Sequence, residues 1–267
     1  MAVSISSKKK PKPGNLVQTI ERVSSILDVL GKFPRGISIG ELSEKVSLPK
    51  GTTHRLVSSL VYFDFVSQNK STKKYHLGFK LVQLGNLLLN QIDLRNEARS
   101  FMQELAKRTG ETVHLVILDQ NEALYIEKVA LNQTGLQMIS QVGLRIPIHS
   151  SSVGKILAAY LAEDELDRII NENDFPRQTK NTITNLSLFK EHLENVRACG
   201  YAIDDEENEK GIRCVAAAIR SANGEVLAAL SISGPSTRLS LKVIKDSLKD
   251  QVCNTALNIS RKIGFHG

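Results

Sequence analysis

Apolar residues fall into three regimes along the chain. They recur at helical spacing over roughly the first 60 positions, shorten into strand-like runs, and return to helical spacing near the end. Val17, Ile20, Val23, Ile26, Leu27 and Leu30, stopped by Gly31, predict a first helix. Ser38 with Glu41 three positions on is a capping-box spacing, and Ile39, Leu42 and Val46 then mark one face of a short second helix. Ser47-Leu48-Pro49 predicts a sharp turn, because proline disfavours helical geometry before it and suits the first turn of a new helix. In that third helix Leu56, Leu60 and Phe63 define the inward side, which leaves Lys50, Thr52, Thr53, His54, Arg55 and Ser58 outward. Phe65-Val66-Ser67 and Lys74-Tyr75-His76-Leu77 read as two strands around a loop that carries Lys70 and Lys73. The apolar stretch from Phe79 to Asn90 is helical, too short to cross a membrane and too apolar for a solvated linker.

The remainder reads as a second domain. Asp93 caps a helix running to about Arg108. Thr112–Leu118 and Ala123–Val129 form a hairpin, and Leu136–Ile139 is a further strand. Helices follow at Val153–Leu161, Glu163–Ile170 and Ser187–Cys199, the last closed by Gly200. Ile212–Arg220 and Val226–Ile232 form a last hairpin, and Leu239–Ile263 predicts one long terminal helix. Strands joined by hairpins and interleaved with helices indicate an α+β domain with an antiparallel sheet.

Helix, tight turn, helix and basic hairpin, in that order, form a winged helix-turn-helix, a device for placing one helix in the major groove of duplex DNA. The candidate DNA contacts are Ser38, Lys50, Thr52, Thr53, His54, Arg55 and Ser58, with Lys70, Lys73 and Lys74 on the wing. Charge supports this division. Residues 1–90 hold 14 Lys and Arg against 5 Asp and Glu, a surplus of nine, whereas the remainder stands at −2. A basic half joined to a near-neutral half fits a nucleic-acid-binding domain attached to one with another task. Positions 1–14, polar, basic and broken by Pro11, Pro13 and Gly14, read as a disordered arm. No apolar run is long enough for a membrane span, and the N-terminus lacks the apolar core of a secretory signal, so a cytoplasmic location is expected. Cys199, Cys214 and Cys253 are odd in number and widely spaced, and indicate neither a disulfide framework nor a zinc site.

Three segments of the second domain place polar groups where a core would prefer none. His149-Ser150-Ser151-Ser152-Val153-Gly154-Lys155 feeds serines and a glycine into a helix start, which suits a carboxylate; a plain helix cap accounts for the same residues. The stretch from Asp204 to Cys214 is an acid cluster, ordinarily a solvated loop, ending in a cysteine that is ordinarily a small buried group. Ser231 and Ser233 alternate with apolar neighbours, so both hydroxyls share one strand face. No hydrolase, metalloprotease, nucleotide-binding or dinucleotide-binding motif stands in proper context, so neither an enzyme, a metal nor a cofactor is indicated.

The segments ISIGELSEKVSLPKGTTHRLVSSL, YHLGFKLVQLG, VGLRIPIHSSSVGKILAA, YAIDDEENEKGIRCVAAAI and ALSISGP, in this order over about residues 16–264, resemble the IclR family of bacterial transcriptional regulators. The resemblance implies a winged helix-turn-helix over 15–78, a linker helix over 79–92 that mediates dimerisation, and a GAF-like effector-binding domain over 93–267. It also implies a homodimer or homotetramer on double-stranded operator DNA, with affinity altered by a small carboxylate. Carried onto this chain, the family's effector pocket falls on Met138, Ser152, Val153, Asp204, Cys214, Ser231 and Ser233. Ser152-Val153 departs from the small Gly-Ala usual there. Wording such as MISQVGLRIPIHSSSVGK places the chain nearest the KdgR-like branch, whose effector is the sugar acid 2-keto-3-deoxygluconate. A regulator without a small ligand, controlled by a protein partner, is the alternative.

Overall fold

The computed structural model describes residues 15–90, 93–131, 140–172 and 175–267. The arm at 1–14, the strand at Leu136–Ile139, Met138 and the last two positions of the 79–92 linker lie outside the described residues. Contacts divide the chain into two compact units, Met1–Gln91 and Ile92–Gly267.

In the first unit α1 (Gln18–Gly31), α2 (Ile39–Lys45) and α3 (Lys50–Tyr62) are followed by β1 (Val66–Gln68), β2 (Tyr75–Leu77) and α4 (Phe79–Asn90). Ile26 and Leu30 of α1, Leu42 of α2, and Val57 and Leu60 of α3 close on Ile37, Val66 and Tyr75 in one small core. Ser38 caps α2 in the expected box: its hydroxyl accepts from the Glu41 amide at 3.3 Å, and the Glu41 carboxylate accepts from the Ser38 amide at 3.0 Å. The turn into α3 passes through Ser47 at φ 53°, and the Leu48 amide bonds back to the Ser43 carbonyl at 3.0 Å. The inward side of α3 differs from the expected one. Thr53, Val57 and Leu60 are buried, whereas Phe63 is 61% exposed. Thr53, Val57 and Leu60, at i, i+4 and i+7, form the inward stripe, and the Thr53 hydroxyl is satisfied there by donating to the Pro49 carbonyl at 3.2 Å.

In the second unit α5 (Asp93–Thr109) leads into β3 (Thr112–Asp119) and β4 (Glu122–Val129), joined at Gln120 and Asn121 with both φ positive, as a tight hairpin requires. The order continues with β5 (Arg145–Ile146), α6 (Ser152–Ala159), α7 (Glu163–Glu172), α8 (Leu186–Cys199), β6 (Tyr201–Asp205), β7 (Ile212–Arg220) and β8 (Val226–Pro235). It ends in α9 (Leu241–Val243), a π-helical turn (Ile244–Leu248) and α10 (Lys249–Lys262). The expected single terminal helix thus starts later, after a Ser240 cap, and carries one wider turn. The six strands form one antiparallel sheet in the order β5-β4-β3-β8-β7-β6. Period-2 alternation divides its residues: Val113, Leu115, Val215, Leu230 and Ile232 pack on α5 and α10, while Val116, Ala202, Ala216 and Ala229 pack on α6 to α8. Three alanines on the second face let α6 lie close to the strands, and α6 is buried along its whole length.

Candidate functional site

On the first unit the exposed surface of α3 carries Lys50, His54, Arg55 and Ser58, with Thr52 half-buried beside them. Thr53 leaves the predicted set, being fully buried, and the Ser38 hydroxyl is engaged by Glu41, to which it donates at 2.7 Å. Lys70, Lys73 and Lys74 are all exposed in the turn between β1 and β2. The Asn69 side-chain oxygen organises that turn, accepting from the amides of Ser71 and Thr72 and from the Ser71 hydroxyl.

On the second unit the strand register assembles most of the predicted effector residues. Thr112, Ser233, Cys214 and Asp204 are cross-strand neighbours in one row, and His114, Ser231, Ala216 and Ala202 form the next. All eight face the α6 side. Cys214 stands between Ser233 and Asp204 as the cross-strand neighbour of both. Ser152 and Val153 begin the covering helix and are buried; Val153 is part of the core there, whereas Ser152 is polar. The preceding serines have structural tasks. Ser151 accepts from the Gly154 amide at 3.1 Å and donates to the Pro147 carbonyl, and Ser150 donates to Asn208 at 3.0 Å. Gly154 is required because a Cβ there would run into the backbone of Ile148. Ser152 and Ser231 are both buried, at 1% and 2% exposure. Cys214 retains accessible surface although β7 is not an edge strand.

Four contributing residues went unrecognised in the sequence. Lys155, fully buried in α6, reaches across to the Glu207 carboxylate at 2.5 Å and to the Ile203 carbonyl at 2.9 Å. Its spacing from Ser152 was a usable signal, since a helix that is otherwise apolar all round leaves its lysine no route to water. Glu207 is its partner in the acid cluster. His114 and Tyr125, ring centroids 4.9 Å apart, stand on β3 and β4; in Thr112-Val113-His114-Leu115 the histidine falls in phase with the inward face.

One ammonium thus serves two buried carboxylates. Lys155 contacts Glu207, and Asp204 accepts from the amides of Glu207 at 2.7 Å and Asn208 at 3.3 Å. Burial nevertheless pushes Asp204 up to about 7, with Lys155 opposing. Burial and Asp204 also push the Cys214 thiol well up, which makes it a poor nucleophile. The folded chain therefore holds a proton on Asp204 that the unfolded chain, with an ordinary value of 3.8, has released. Stability falls as pH rises from about 4 to about 7 and levels off above, by roughly a few kcal/mol at most. Urea unfolding of the wild type and Asp204→Asn across pH 5–8 measures this: the variant should have the flatter slope.

The loop over 175–184 is stitched to this end of the sheet. Thr179 donates to the Glu206 carbonyl, Thr182 to that of Glu207 and Asn181 to that of Asp205. A cavity of about 170 Å³ lies instead at the opposite end of β7, bounded by Tyr160, Ala218, Arg220, Cys253, Leu257 and Phe265, and includes none of the predicted residues. There Arg220 stacks over the Tyr160 ring at 4.4 Å and donates to the Gly224 carbonyl, and Arg197 donates to the Ala159 carbonyl at the end of α6. Among the described residues no group of three or more His, Cys, Asp or Glu could hold a metal, and no helix is long and apolar enough to cross a membrane.

Comparison with known proteins decides what this arrangement belongs to. The family model for the bacterial transcriptional regulator IclR C-terminal region matches residues 86–261, and that for the IclR helix-turn-helix domain matches residues 19–70. The chain belongs to the IclR family. It is a DNA-binding transcriptional regulator. Among IclR-family relatives, KdgR of Escherichia coli is 36% identical over 250 residues, 94% of each chain. The crystal structure of Thermotoga maritima IclR matches with a TM-score of 0.79 at 35% identity, over 93% of this chain and 99% of that one. An IclR homolog of Microbacterium hydrocarbonoxydans, solved in complex with 4-hydroxybenzoate, matches with a TM-score of 0.79 at 25% identity, over 92% and 98%.

Proposed function

We propose that this IclR-family regulator is a cytoplasmic repressor whose operator affinity is set by a small carboxylate effector, a 2-keto sugar acid of the 2-keto-3-deoxygluconate type, bound against Ser152, Asp204, Cys214, Ser231 and Ser233. The observation that carries the reading is the placement of buried Ser152 at the start of α6 over the sheet face that holds Asp204, Cys214, Ser231 and Ser233 in adjacent rows. Polar groups gathered on a covered sheet face cost free energy unless they are paired, and a carboxylate or sugar hydroxyl supplies partners for them. A protonated Asp204 adds a donor suited to an anion. Likeness to KdgR supports the sugar acid, and the complex of the homolog with 4-hydroxybenzoate supports an organic acid. The effector acts by binding the DNA-holding and DNA-releasing arrangements with different free energies.

A thermal-shift titration tests this. At a hundredfold excess over its Kd, 2-keto-3-deoxygluconate should stabilise the fold by about 2.7 kcal/mol, a rise in Tm of several degrees. Ser231→Ala should abolish most of the rise while operator binding persists. If keto acids, uronates and aromatic acids all leave Tm unchanged, the small-ligand reading is wrong and a protein partner becomes the regulator.

For the DNA half, Arg55 on the exposed side of α3 is assigned to the operator. Arg55→Ala should weaken binding to an operator selected from random duplexes about tenfold or more. A salt slope smaller by about one identifies a phosphate contact, and altered base preference a base contact. Unchanged affinity and slope would place Arg55 outside the interface.

A further inference from the structure

The end of the sheet far from the effector residues is built around a gap. Helix α8 closes at Gly200, at φ 78°, and β6 pairs with β7 only from Tyr201, opposite Ala217. Ala218, Ile219 and Arg220 run on past the start of β6, so that edge of β7 has no strand beside it. The cleft of about 170 Å³ lies there, between the bare edge, Tyr160 at the end of α6, Cys253 and Leu257 of α10, and Phe265. An apolar cavity of about 150 Å³ is enough to hold a benzene ring.

Two polar side chains reach the cleft, and they are committed to different degrees. The Ser260 hydroxyl accepts from the Arg220 amide at 2.9 Å and donates to the Ala256 carbonyl at 2.7 Å, so its hydrogen is already used. The Arg220 guanidinium lies half-buried, 4.4 Å from the centre of the Tyr160 ring, and donates from one terminal nitrogen to the Gly224 carbonyl at 2.9 Å. A guanidinium carries five N–H donors in one plane, and stacking on a ring leaves the edge of that plane available. Among the described residues no carboxylate pairs with Arg220, although a cation drawn out of water is costly without one.

We propose that this cleft is a second small-molecule site, separate from the effector residues, and that it takes an aromatic monocarboxylate, with the carboxylate on the Arg220 fork and the ring against Leu257, Cys253 and Phe265. The fork matches a carboxylate or a phosphate in shape. The rest of the lining decides between them, because Ala218, Leu257 and Phe265 offer apolar contact to a ring and nothing to an inorganic phosphate. One cation on an otherwise apolar wall also suits a single negative charge. The site is too far from the effector residues for one small ligand to serve both: α6 has Ser152 at its start and Tyr160 at its end, so roughly 12 Å of helix separates them.

Benzoate, benzamide and inorganic phosphate are titrated into the full chain carrying ¹³C at its alanine and leucine methyls, which are assigned by single substitutions. A bound ring displaces the resonances of the methyls beside it. Ala218 and Leu257 report the cleft, and Ala216, the cross-strand neighbour of Ser231, reports the effector rows. Benzoate should shift Ala218 and Leu257 saturably, with a Kd below about 1 mM. Benzamide should bind at least about tenfold more weakly, and phosphate should shift neither methyl. Arg220→Gln should bring benzoate down to the affinity of benzamide and leave benzamide where it was, whereas a cleft that had merely collapsed would lose both. Should that variant not fold, the preference of the wild type for acid over amide carries the test alone. Shifts at Ala216 with none at Ala218 and Leu257 would put benzoate in the effector pocket and overturn the proposal. Equal affinity for acid and amide, a phosphate response matching that of benzoate, or no binding at all would overturn it as well.

Discussion

Lys155→Met destabilises the fold by about 3–5 kcal/mol, because it removes the ammonium that serves Glu207 and Asp204 while leaving both carboxyls buried. Methionine matches the length of the lysine stem, so the loss is electrostatic and does not come from a cavity. The pH dependence separates the two causes. With the ammonium gone both carboxyls are driven toward their protonated forms, and the variant should lose least stability near pH 5 and most near pH 8. Adding Glu207→Gln to Lys155→Met should recover part of the loss, since a neutral amide replaces the carboxylate that is left unpaired. Urea unfolding of the full chain at three pH values gives all of these numbers. Equal losses at every pH, with no recovery in the double variant, would mean that the ion pair is not what holds α6 to the loop after β6.

Converting the apolar surface of α4 to acid should break the protein into monomers and cost at least about a hundredfold in operator affinity. Phe79 is 87% exposed, Val82 55% and Leu87 53%, and these three positions share one side of the helix. A helix that apolar is normally covered. Since helix-turn-helix proteins read paired half-sites, the cover proposed is the same helix of a second copy. Val82→Glu with Leu87→Glu should sediment as a monomer, bind a half-site as the wild type does, and retain effector binding. A variant that stays dimeric would move the subunit contact elsewhere on the chain.

The first unit was largely legible because its signals are local. The Ser38-Glu41 box, the proline after the turn and the apolar spacing of α1 and α2 each fix a short segment without help from the rest of the chain. Thr53 was misplaced because its hydroxyl reads as an outward polar group, although it stands in helical phase with Val57 and Leu60 and satisfies that hydroxyl on the Pro49 carbonyl. In the second unit β6 escaped notice: Tyr201-Ala202-Ile203 is a short run, and Asp204 and Asp205 merge it into an acid cluster that reads as solvated. Only the pairing with β7 shows that Asp204 points inward while Asp205 meets Arg213. Pairing across the sheet is likewise what brings His114 beside Ser231 and Ser233, some 120 positions away, a coincidence no local pattern announces. The π-helical turn at Ile244–Leu248 inserts without glycine or proline to mark it. The effector residues themselves came from family resemblance; alternation alone placed Ser231 and Ser233 on a common face, and what that face looks toward is a property of α6.

The Asn69 carboxamide has a consequence for how fast and how tightly the wing can engage a duplex. By accepting three hydrogen bonds it freezes the backbone of a lysine-rich tip before any encounter, with Lys73 already held at φ 58°. The entropy that a floppy loop would surrender on contact has been given up in advance during folding, so association has only the lysine stems left to immobilise.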